Sequence, residues 1–158
     1  MNADLRVMKF FPKCLTREES DQLAERIEAA ISQRGFGLYA VERRSSSEFI
    51  GFVGLSEPSF TAPFTPCIEI GWRLAFQHWG EGLGTDAART VREHAFQELG
   101  IFGLVSFTAA ANVASRRVME KLGMTHDEAD DFDHPALPEG DPLQRHVLYR
   151  ISASGARL

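Results

Sequence analysis

The sequence predicts an α/β domain built on a mixed β-sheet, and three features of the chain carry this prediction. Strand-like segments come first as an antiparallel pair, and the order then changes to strand, helix, strand, helix, strand. A strand–helix–strand unit forms a parallel pair with a right-handed crossover, so the sheet contains both directions. A glycine-rich turn at residues 80–84 opens the central helix, where the backbone can approach a ligand closely.

The composition is that of an ordinary globular protein. With 158 residues, 44% hydrophobic and 25% charged, we expect a single domain over residues 1–158. The net charge of −5 disfavours a nucleic-acid partner, and no apolar run reaches the roughly 18 residues that would span a membrane. Residues 1–6 contain no apolar signal segment, and Cys14 and Cys67 form no disulfide framework, so we expect a cytoplasmic protein.

The first helix is predicted from its caps and its periodicity. Thr16 and Glu19 have the spacing of a capping box, in which each side chain bonds the backbone N–H of the other residue. Gly35 ends the run in the manner of a left-handed terminal glycine. Between these caps, apolar residues recur at helical spacing and form one stripe: Leu23, Ile27, Ala30 and Ile31.

Three strands are predicted next. Residues 38–42 and 49–55 have strand composition, and the polar stretch 43–47 between them is typical of a hairpin turn. Residues 56–66 contain three prolines and are predicted to form a loop. Residues 67–75 form the third strand, which leads into the glycine turn.

Helices and strands alternate in the second half of the chain. The helix after the glycine turn runs to about Leu99, and residues 104–108 form a short apolar strand. Asn112 is the predicted N-cap of the next helix, which ends at Gly123. Residues 144–151 form the last predicted strand.

The glycine turn predicts a phosphorylated ligand. The first N–H groups of a helix have no partner within it, and the helix dipole favours a negative charge there. A triphosphate P-loop is excluded, because no lysine follows a glycine anywhere in the chain. The dinucleotide fingerprint fits residues 82–87, but the next strand leads into residues 106–111, which contain no acid to hold a ribose. A nicotinamide-dependent oxidoreductase is therefore disfavoured.

Three segments in this order resemble a known family. They are Glu69-Ile70-Gly71-Trp72, Trp79-Gly80-Glu81-Gly82-Leu83-Gly84, and Asn112 and Ser115 followed by Lys121-Leu122-Gly123-Met124. They resemble the GNAT superfamily of acyl-CoA-dependent N-acyltransferases, in the branch of the ribosomal-protein alanine N-acetyltransferases. The resemblance implies a central twisted, mixed sheet with helices on both faces. It also implies transfer of an acetyl group from acetyl-CoA, as cosubstrate, to a primary amine of a protein N-terminus or a small molecule, without a metal.

The resemblance also implies which residues contact acetyl-CoA. The turn would hold the pyrophosphate through backbone N–H groups, and the strand before it would line the pantetheine arm and leave splayed backbone groups for its amides. The residues so implied are Trp72, Arg73, Leu74, Trp79, Gly80, Glu81, Gly82, Leu83, Gly84, Thr85, Asn112 and Ser115. The structural alternatives are an ordinary tight turn, core packing of Trp72, and helix capping by Asn112.

Two residues are candidate catalytic groups. Glu69 stands in an otherwise apolar strand, where burial would raise its pKa towards that of a working general base; a salt bridge across the sheet is the alternative. Ser115 would protonate the leaving thiolate, because Met119 stands where many members of the family carry a tyrosine. Helix capping is the alternative role for Ser115.

The chain departs from the family pattern at its start. The sequence begins inside that pattern, so the first strand of the sheet is expected to be missing, either truncated, absent or supplied by a partner. A homodimer is accordingly one of the expected assemblies.

Residues 127–142 carry seven acidic residues and no Lys or Arg. If this stretch borders the entrance for the amine, as in the family, it would favour cationic acceptors; a solvated loop is the alternative. A metal site formed by Asp131, Asp133 and His134 is disfavoured, because no second ligand cluster accompanies them. The alternative function is a non-catalytic acyl-CoA-binding or regulatory protein, which would bind without turnover.

Overall fold

A computed structural model describes residues 1–153 of the chain. Over this range the helices are α1 (Arg17–Arg34), α2 (Leu83–Gln97) and α3 (Val113–Lys121). The strands are β1 (Leu38–Arg43), β2 (Glu48–Ser56), β3 (Glu69–Leu74), β4 (Gly103–Ala109), β5 (Thr125–His126), β6 (Phe132–Asp133) and β7 (Arg145–Ser152). Single 3-10 turns occupy Phe76–His78 and Glu128–Asp130.

The strands form one mixed sheet in the order β1-β2-β3-β4-β7-β5, and β6 pairs with the first residues of β7. Every described pairing is antiparallel except that of β3 with β4, which the helix α2 connects. The predicted α/β class, with its mixed sheet and its central strand–helix–strand unit, is therefore confirmed.

The β3–β4 pairing is the exception in an otherwise continuous sheet. β2 and β3 pair through six residues each, whereas β3 and β4 are in register only at Glu69 and Val105. Beyond that point the two parallel strands separate. The backbone groups of residues 70–74 that face β4 therefore lack a ladder partner there, and a gap opens in the middle of the sheet.

The two faces of the sheet carry different layers. Ile70 and Leu74 lie in the core cluster that α2 covers. Because side chains alternate along a strand, Glu69 and Arg73 point to the opposite face. On that face Asn2 joins the N-terminal segment to the sheet: its Oδ1 accepts from Arg73 Nη1 at 3.1 Å, and its Nδ2 donates to Ser20 of α1 at 2.8 Å.

One edge of the sheet is open. Among the described residues, β1 pairs with β2 alone, and residues 1–16 form turns and bends without a strand. The described sheet thus begins at β1, in agreement with the expected lack of a first strand. Instead of forming a strand, this segment places Val7, Phe10 and Phe11 beside the cleft described below.

The local sequence signals for the helices are confirmed. Thr16 and Glu19 form both bonds of the capping box of α1, and Gly35 ends that helix at φ 77°. Gly82, at φ 83°, is the N-cap of α2, and the side chain of Asn112 caps α3. The predicted stripe of α1 is half-buried, so this helix packs more loosely than α2, which has four buried residues.

The acidic stretch is more ordered than the sequence predicts. Residues 127–142 contain a 3-10 turn and the short strand β6, where the sequence indicates only a loop. Phe132 explains the difference, because its ring packs against Phe64 and Phe107 with centroids 4.8 Å and 5.6 Å away. These contacts join segments far apart in the chain and leave no local periodicity to detect.

We predict that Gly54→Ala destabilises the fold. Gly54 is the register partner of Leu38 at the start of β1, and a Cβ on it would stand 2.0 Å from Gly37 O and 2.6 Å from Leu38 Cα. Because both neighbours are backbone atoms, the free energy of unfolding should fall by about 1–3 kcal/mol or more. Thermal unfolding should show a melting temperature lower by roughly 2–4 °C for each kcal/mol lost.

Gly71→Ala is the matched control for this measurement. Gly71 is the direct partner of Gly54 in the β2–β3 ladder, but a Cβ on it would meet only Glu69 Oε1, at 3.8 Å. Equal melting temperatures for the two variants would contradict the proposed steric cause.

Candidate active site

A cleft of about 650 Å³ opens where β3 and β4 separate. Its walls come from the N-terminal segment, β3, the glycine turn with the start of α2, the start of α3, and residues 134–146. The structure brings together every predicted site residue except Glu81. The lining residues among them are Glu69, Trp72, Arg73, Leu74, Trp79, Gly80, Gly82, Leu83, Gly84, Thr85, Asn112 and Ser115.

The glycine turn leaves its backbone accessible from the cleft. Gly80 and Gly82 adopt φ 80° and φ 83°, conformations that favour glycine, and a Cβ on either would meet no atom within 4 Å. Gly82 caps α2 without any side-chain hydrogen bond, so the first N–H groups of α2 keep their capacity to donate. The turn therefore has the chemistry of an anion site at a helix N-terminus.

The residues on either side of Gly80 differ in orientation. Trp79 Nε1 donates a hydrogen bond to Leu74 O at 2.9 Å, and this bond connects the turn to the end of β3. Glu81 points away from the cleft, and its carboxylate pairs with Arg43 at 3.0 Å on the surface. The side chain of Glu81 is thus committed elsewhere, and only its backbone N–H remains for the predicted ligand contact.

Arg73 occupies a different wall from Trp72 and Leu74. It lies on the Glu69 face of β3, with its guanidinium 4.1 Å from the Phe11 ring centroid and 5.2 Å from that of Phe52. Its Nε is buried without a hydrogen-bond partner among the described residues, and desolvation lowers the pKa of Arg73 to about 10. The alternation of side chains along β3 thus places Arg73 opposite Trp72 and Leu74, and contact of all three with the pantetheine arm stays a prediction.

Glu69 lies at the base of the cleft, at the last pairing between β3 and β4. Its Oε2 accepts a hydrogen bond from the Ser56 hydroxyl at 3.2 Å, and no cation of residues 1–153 pairs with it. Burial raises the pKa of Glu69 to about 7, and the bond from Ser56 offsets only part of that effect. The salt bridge considered from the sequence is absent from this region, and the carboxyl group is left poised to exchange a proton near neutral pH.

Asn112 and Ser115 form a small hydrogen-bonded network at the start of α3. Asn112 Oδ1 accepts from the backbone N–H of Ser115 at 3.3 Å, so Asn112 does cap the helix. Asn112 Nδ2 donates to Thr108 Oγ1 at 2.9 Å and to Ser115 Oγ at 3.1 Å. Because Ser115 Oγ is an acceptor in this network, its own proton remains for an acceptor in the cleft.

The acidic stretch borders the cleft with neutral side chains. His134, Ala136 and Leu137 line the cavity, and none of the acidic residues of the stretch does. Two of those carboxylates are held in ion pairs, Asp130 with Arg150 at 2.8 Å and Asp133 with Arg145 at 3.4 Å. Asp131 Oδ1 lies 2.7 Å from His126 Nε2, within hydrogen-bond distance. Within residues 1–153, no three His, Cys, Asp or Glu side chains come together as a metal site.

Sequence reasoning missed part of the site. Ser56 and Thr108, the partners of Glu69 and Asn112, were not singled out, because their roles depend on strand register. Phe107 and His146 were also missed as cleft residues. The one available signal was composition, since 12 of the 158 residues are phenylalanine.

None of the helices in residues 1–153 has both the length and the apolar character needed to cross a membrane.

Comparison with known proteins identifies the family. Residues 1–125 match the family described as Acetyltransferase (GNAT) domain. A curated relative, FsC-acetyl coenzyme A-N(2)-transacetylase of Aspergillus fumigatus, is 32% identical over 152 residues, which cover 89% of this chain and 64% of that protein. The chain thus spans somewhat less than two thirds of the length of that relative.

Solved structures share the fold. An acetyltransferase from Agrobacterium tumefaciens str. C58 is 27% identical, with a TM-score of 0.71 over 94% of this chain and 79% of that one. A ribosomal-protein-S5-alanine acetyltransferase from Vibrio fischeri is 15% identical, with a TM-score of 0.72 over 98% of this chain and 86% of that one. The second similarity is one of fold alone.

We predict that Glu69 makes stability depend on pH. Its pKa is about 7 in the folded protein, against 4.5 for an unperturbed glutamate, so the folded state binds its proton more tightly than the unfolded state does. The stabilisation is complete below pH 4.5 and is lost as the pH rises through about 7. The loss should amount to no more than about 3 kcal/mol.

The measurement is denaturant unfolding at pH 5 and pH 8 for the wild type and for Glu69→Gln, which stays neutral at both. The difference in free energy of unfolding between the two pH values should be smaller in Glu69→Gln. Glu93→Gln, a change at a half-exposed position on α2, should behave like the wild type. A pH difference in Glu69→Gln equal to that of the wild type would show that Glu69 titrates normally.

Proposed function

Because the chain belongs to the acetyltransferase (GNAT) domain family, we propose that it transfers an acetyl group from acetyl-CoA to a primary amine. One observation carries this proposal: a helix N-terminus open to an anion and a carboxyl group with a pKa of about 7 share a single cleft. The Aspergillus relative is named as an acetyl coenzyme A-N(2)-transacetylase, which supports the same acetyl donor and transfer to a nitrogen atom.

The donor would occupy the gap between the separated strands. Backbone N–H groups of residues 80–85 hold the pyrophosphate, and Arg117 and Lys121, which line the same cleft, add positive charge for it. Trp72 and Leu74 line the pantetheine arm. The unpaired backbone groups of β3 serve as hydrogen-bond partners for the amides of that arm.

Glu69 is the proposed general base. An amine acceptor arrives as an ammonium ion, and it must lose one proton before its nitrogen lone pair can attack the carbonyl carbon of the thioester. The carboxylate of Glu69 takes that proton, directly or through a water molecule. With a pKa of about 7, the carboxylate is ionised in half of the molecules at neutral pH and in most of them above it.

Ser115 is the proposed proton donor to the leaving group. The bond between the carbonyl carbon and sulfur breaks as the amide forms, and the sulfur then needs one proton. Asn112 donates to Ser115 Oγ, which fixes that oxygen and turns its proton towards the cleft. Two protons leave the ammonium ion, one to Glu69 before the attack and one as the amide forms. Ser115 gives its proton to the sulfur and regains one from the amine through solvent, and the second proton is released to solvent.

Finer features of the function remain predictions. The alanine N-acetyltransferase branch rests on the motifs at residues 79–84 and 112–124. The net acidity of residues 127–142 predicts cationic acceptors, but none of those carboxylates lines the cleft, so this feature does not support selection of a polycation. A homodimer would use the open edge of β1. A reducing cytoplasm agrees with the free thiols of Cys14 and Cys67.

We predict that Gly82→Val weakens acetyl-CoA binding at least about tenfold, or about 1.4 kcal/mol. Valine at φ 83° strains the turn and displaces the N–H groups at the start of α2. Isothermal calorimetry of the folded variants measures the effect. Gly100→Val is the matched control, because Gly100 also has a left-handed φ of 64° with free space around it, but lies beyond the other end of α2. Equal affinities for the two variants would remove the glycine turn from the donor site.

We predict that Glu69→Gln lowers kcat/KM for an amine by about 100-fold, as expected for loss of a general base. The assay is CoA release from acetyl-CoA with a panel of amines over pH 5.5–9. In the wild type, kcat/KM should rise through pH 7 as Glu69 ionises, and Glu69→Gln should lack that rise. Glu93→Gln should keep it. Tight acetyl-CoA binding without CoA release for any amine would instead favour a non-catalytic acyl-CoA-binding protein.

A further inference from the structure

Six aromatic rings form a cluster on one side of the cleft, and no proposed catalytic step uses them. They come from the loop before β3, from β4, from the segment at β6 and from β7. The aromatic cluster consists of Phe60, Phe64, Phe107, Phe132, His134 and His146. Neighbouring ring centroids lie between 4.6 Å and 6.3 Å apart, and Phe107, His134 and His146 line the cleft itself.

The strand register places this cluster on the same face as the proposed base. Glu69 is in register with Val105, and Phe107 is two residues further along β4, in the direction in which the strands separate. His146 is in register with Ala109 on that face. Because residues two apart in a strand share a face, Phe107 and His146 face the space above Glu69, from which an amine would approach.

The rings that line the cleft are neutral at pH 7. Desolvation lowers the pKa of both His134 and His146, and the charge of His134 opposes protonation of His146. The hydrogen bonds agree: His134 Nδ1 accepts from the backbone N–H of Ala136 at 3.2 Å, which a doubly protonated ring could not do. Ala136, Leu137 and Leu143 continue this wall with apolar side chains.

The charges that line the cleft disfavour a polycation. Among the described residues of its lining, Glu69 is the only carboxylate, and Arg73, on the same face of β3, is cationic. The other two cations of the lining, Arg117 and Lys121, belong to the proposed pyrophosphate site. Arg73 keeps its charge against desolvation without any carboxylate partner. A second or third ammonium group on the acceptor would therefore lie near the positive charge of Arg73 and would find no carboxylate in the described lining other than Glu69 to pair with.

We propose, on the basis of the function proposed above, that the acceptor is a primary amine with a single amino group on an aromatic or branched apolar body. That body packs against Phe107, His134 and His146, while its amino group meets Glu69. Aromatic side chains in such a wall favour stacked or edge-to-face contact with a ring of the ligand, which orients the attached nitrogen.

The test compares acceptors that each present a primary amino group and differ in the body attached to it. CoA release is measured with 2-phenylethylamine, ethylamine, spermidine and a short peptide that begins with alanine. We expect kcat/KM for 2-phenylethylamine to exceed that for each of the others at least about tenfold. This inference is overturned if kcat/KM for spermidine, ethylamine or the peptide equals or exceeds that for 2-phenylethylamine. Because acetyl is still transferred in that case, the proposed function would stand. No CoA release with any amine overturns both.

Variants of the wall separate packing from a general loss of activity. Phe107→Ala should lower kcat/KM for 2-phenylethylamine at least about tenfold and change that for ethylamine little. His134→Asp adds a carboxylate to the wall, so it should raise kcat/KM for spermidine relative to kcat/KM for 2-phenylethylamine.

Phe102→Ala is the control for these variants, because its ring is 76% exposed and lies outside the cleft. Each variant should bind acetyl-CoA with unchanged affinity, which shows that it is folded. If Phe107→Ala loses that affinity, Phe107→Leu is used in its place. Equal effects on all acceptors would overturn the inference.

Discussion

The separation of β3 from β4 is the constraint on which the rest of the site depends. Two parallel strands that pair only at Glu69 and Val105 leave an opening in the middle of a sheet that is continuous on either side. The opening joins the face that carries α2 and α3 to the face that carries Glu69. With the donor at the helix N-termini, as proposed, an acceptor can reach it through the opening from the opposite face of the sheet. The two ligands then use separate routes into the cleft.

The same separation determines the electrostatics of Glu69. A carboxyl group at the base of a narrow gap is surrounded by protein on most sides, which raises its pKa, and only the Ser56 hydroxyl supports its charged form. The cations of the cleft do not cancel this effect. The guanidinium of Arg73 lies against the rings of Phe11 and Phe52 and forms no ion pair with Glu69. Desolvation is therefore the main cause of the raised pKa of Glu69.

The sequence predicts those parts of the structure that local rules determine. The capping box at Thr16, the terminal Gly35 of α1 and the Asn112 cap each depend on a few neighbouring residues, and all three occur as predicted. What the sequence did not predict depends on contacts between distant segments. The ion pairs of the acidic stretch use arginines of β7, and the aromatic cluster joins four segments. No periodicity marks such partners, so an acidic composition suggested an open charged loop where the structure has a paired one.

The stability of the fold and the openness of the cleft oppose each other. The missing ladder bonds beyond Glu69, the raised pKa of that group and the unpartnered Nε of Arg73 are all local costs, and they lie within one cavity. The surroundings of the cavity supply the compensation. The β2–β3 and β4–β7 ladders are continuous, and Asn2 of the N-terminal segment hydrogen-bonds Arg73. The aromatic cluster packs along one side of the cleft. The strands are unpaired in the middle of the cleft and paired on either side of it. The sheet can therefore keep an opening large enough for two ligands and still remain folded.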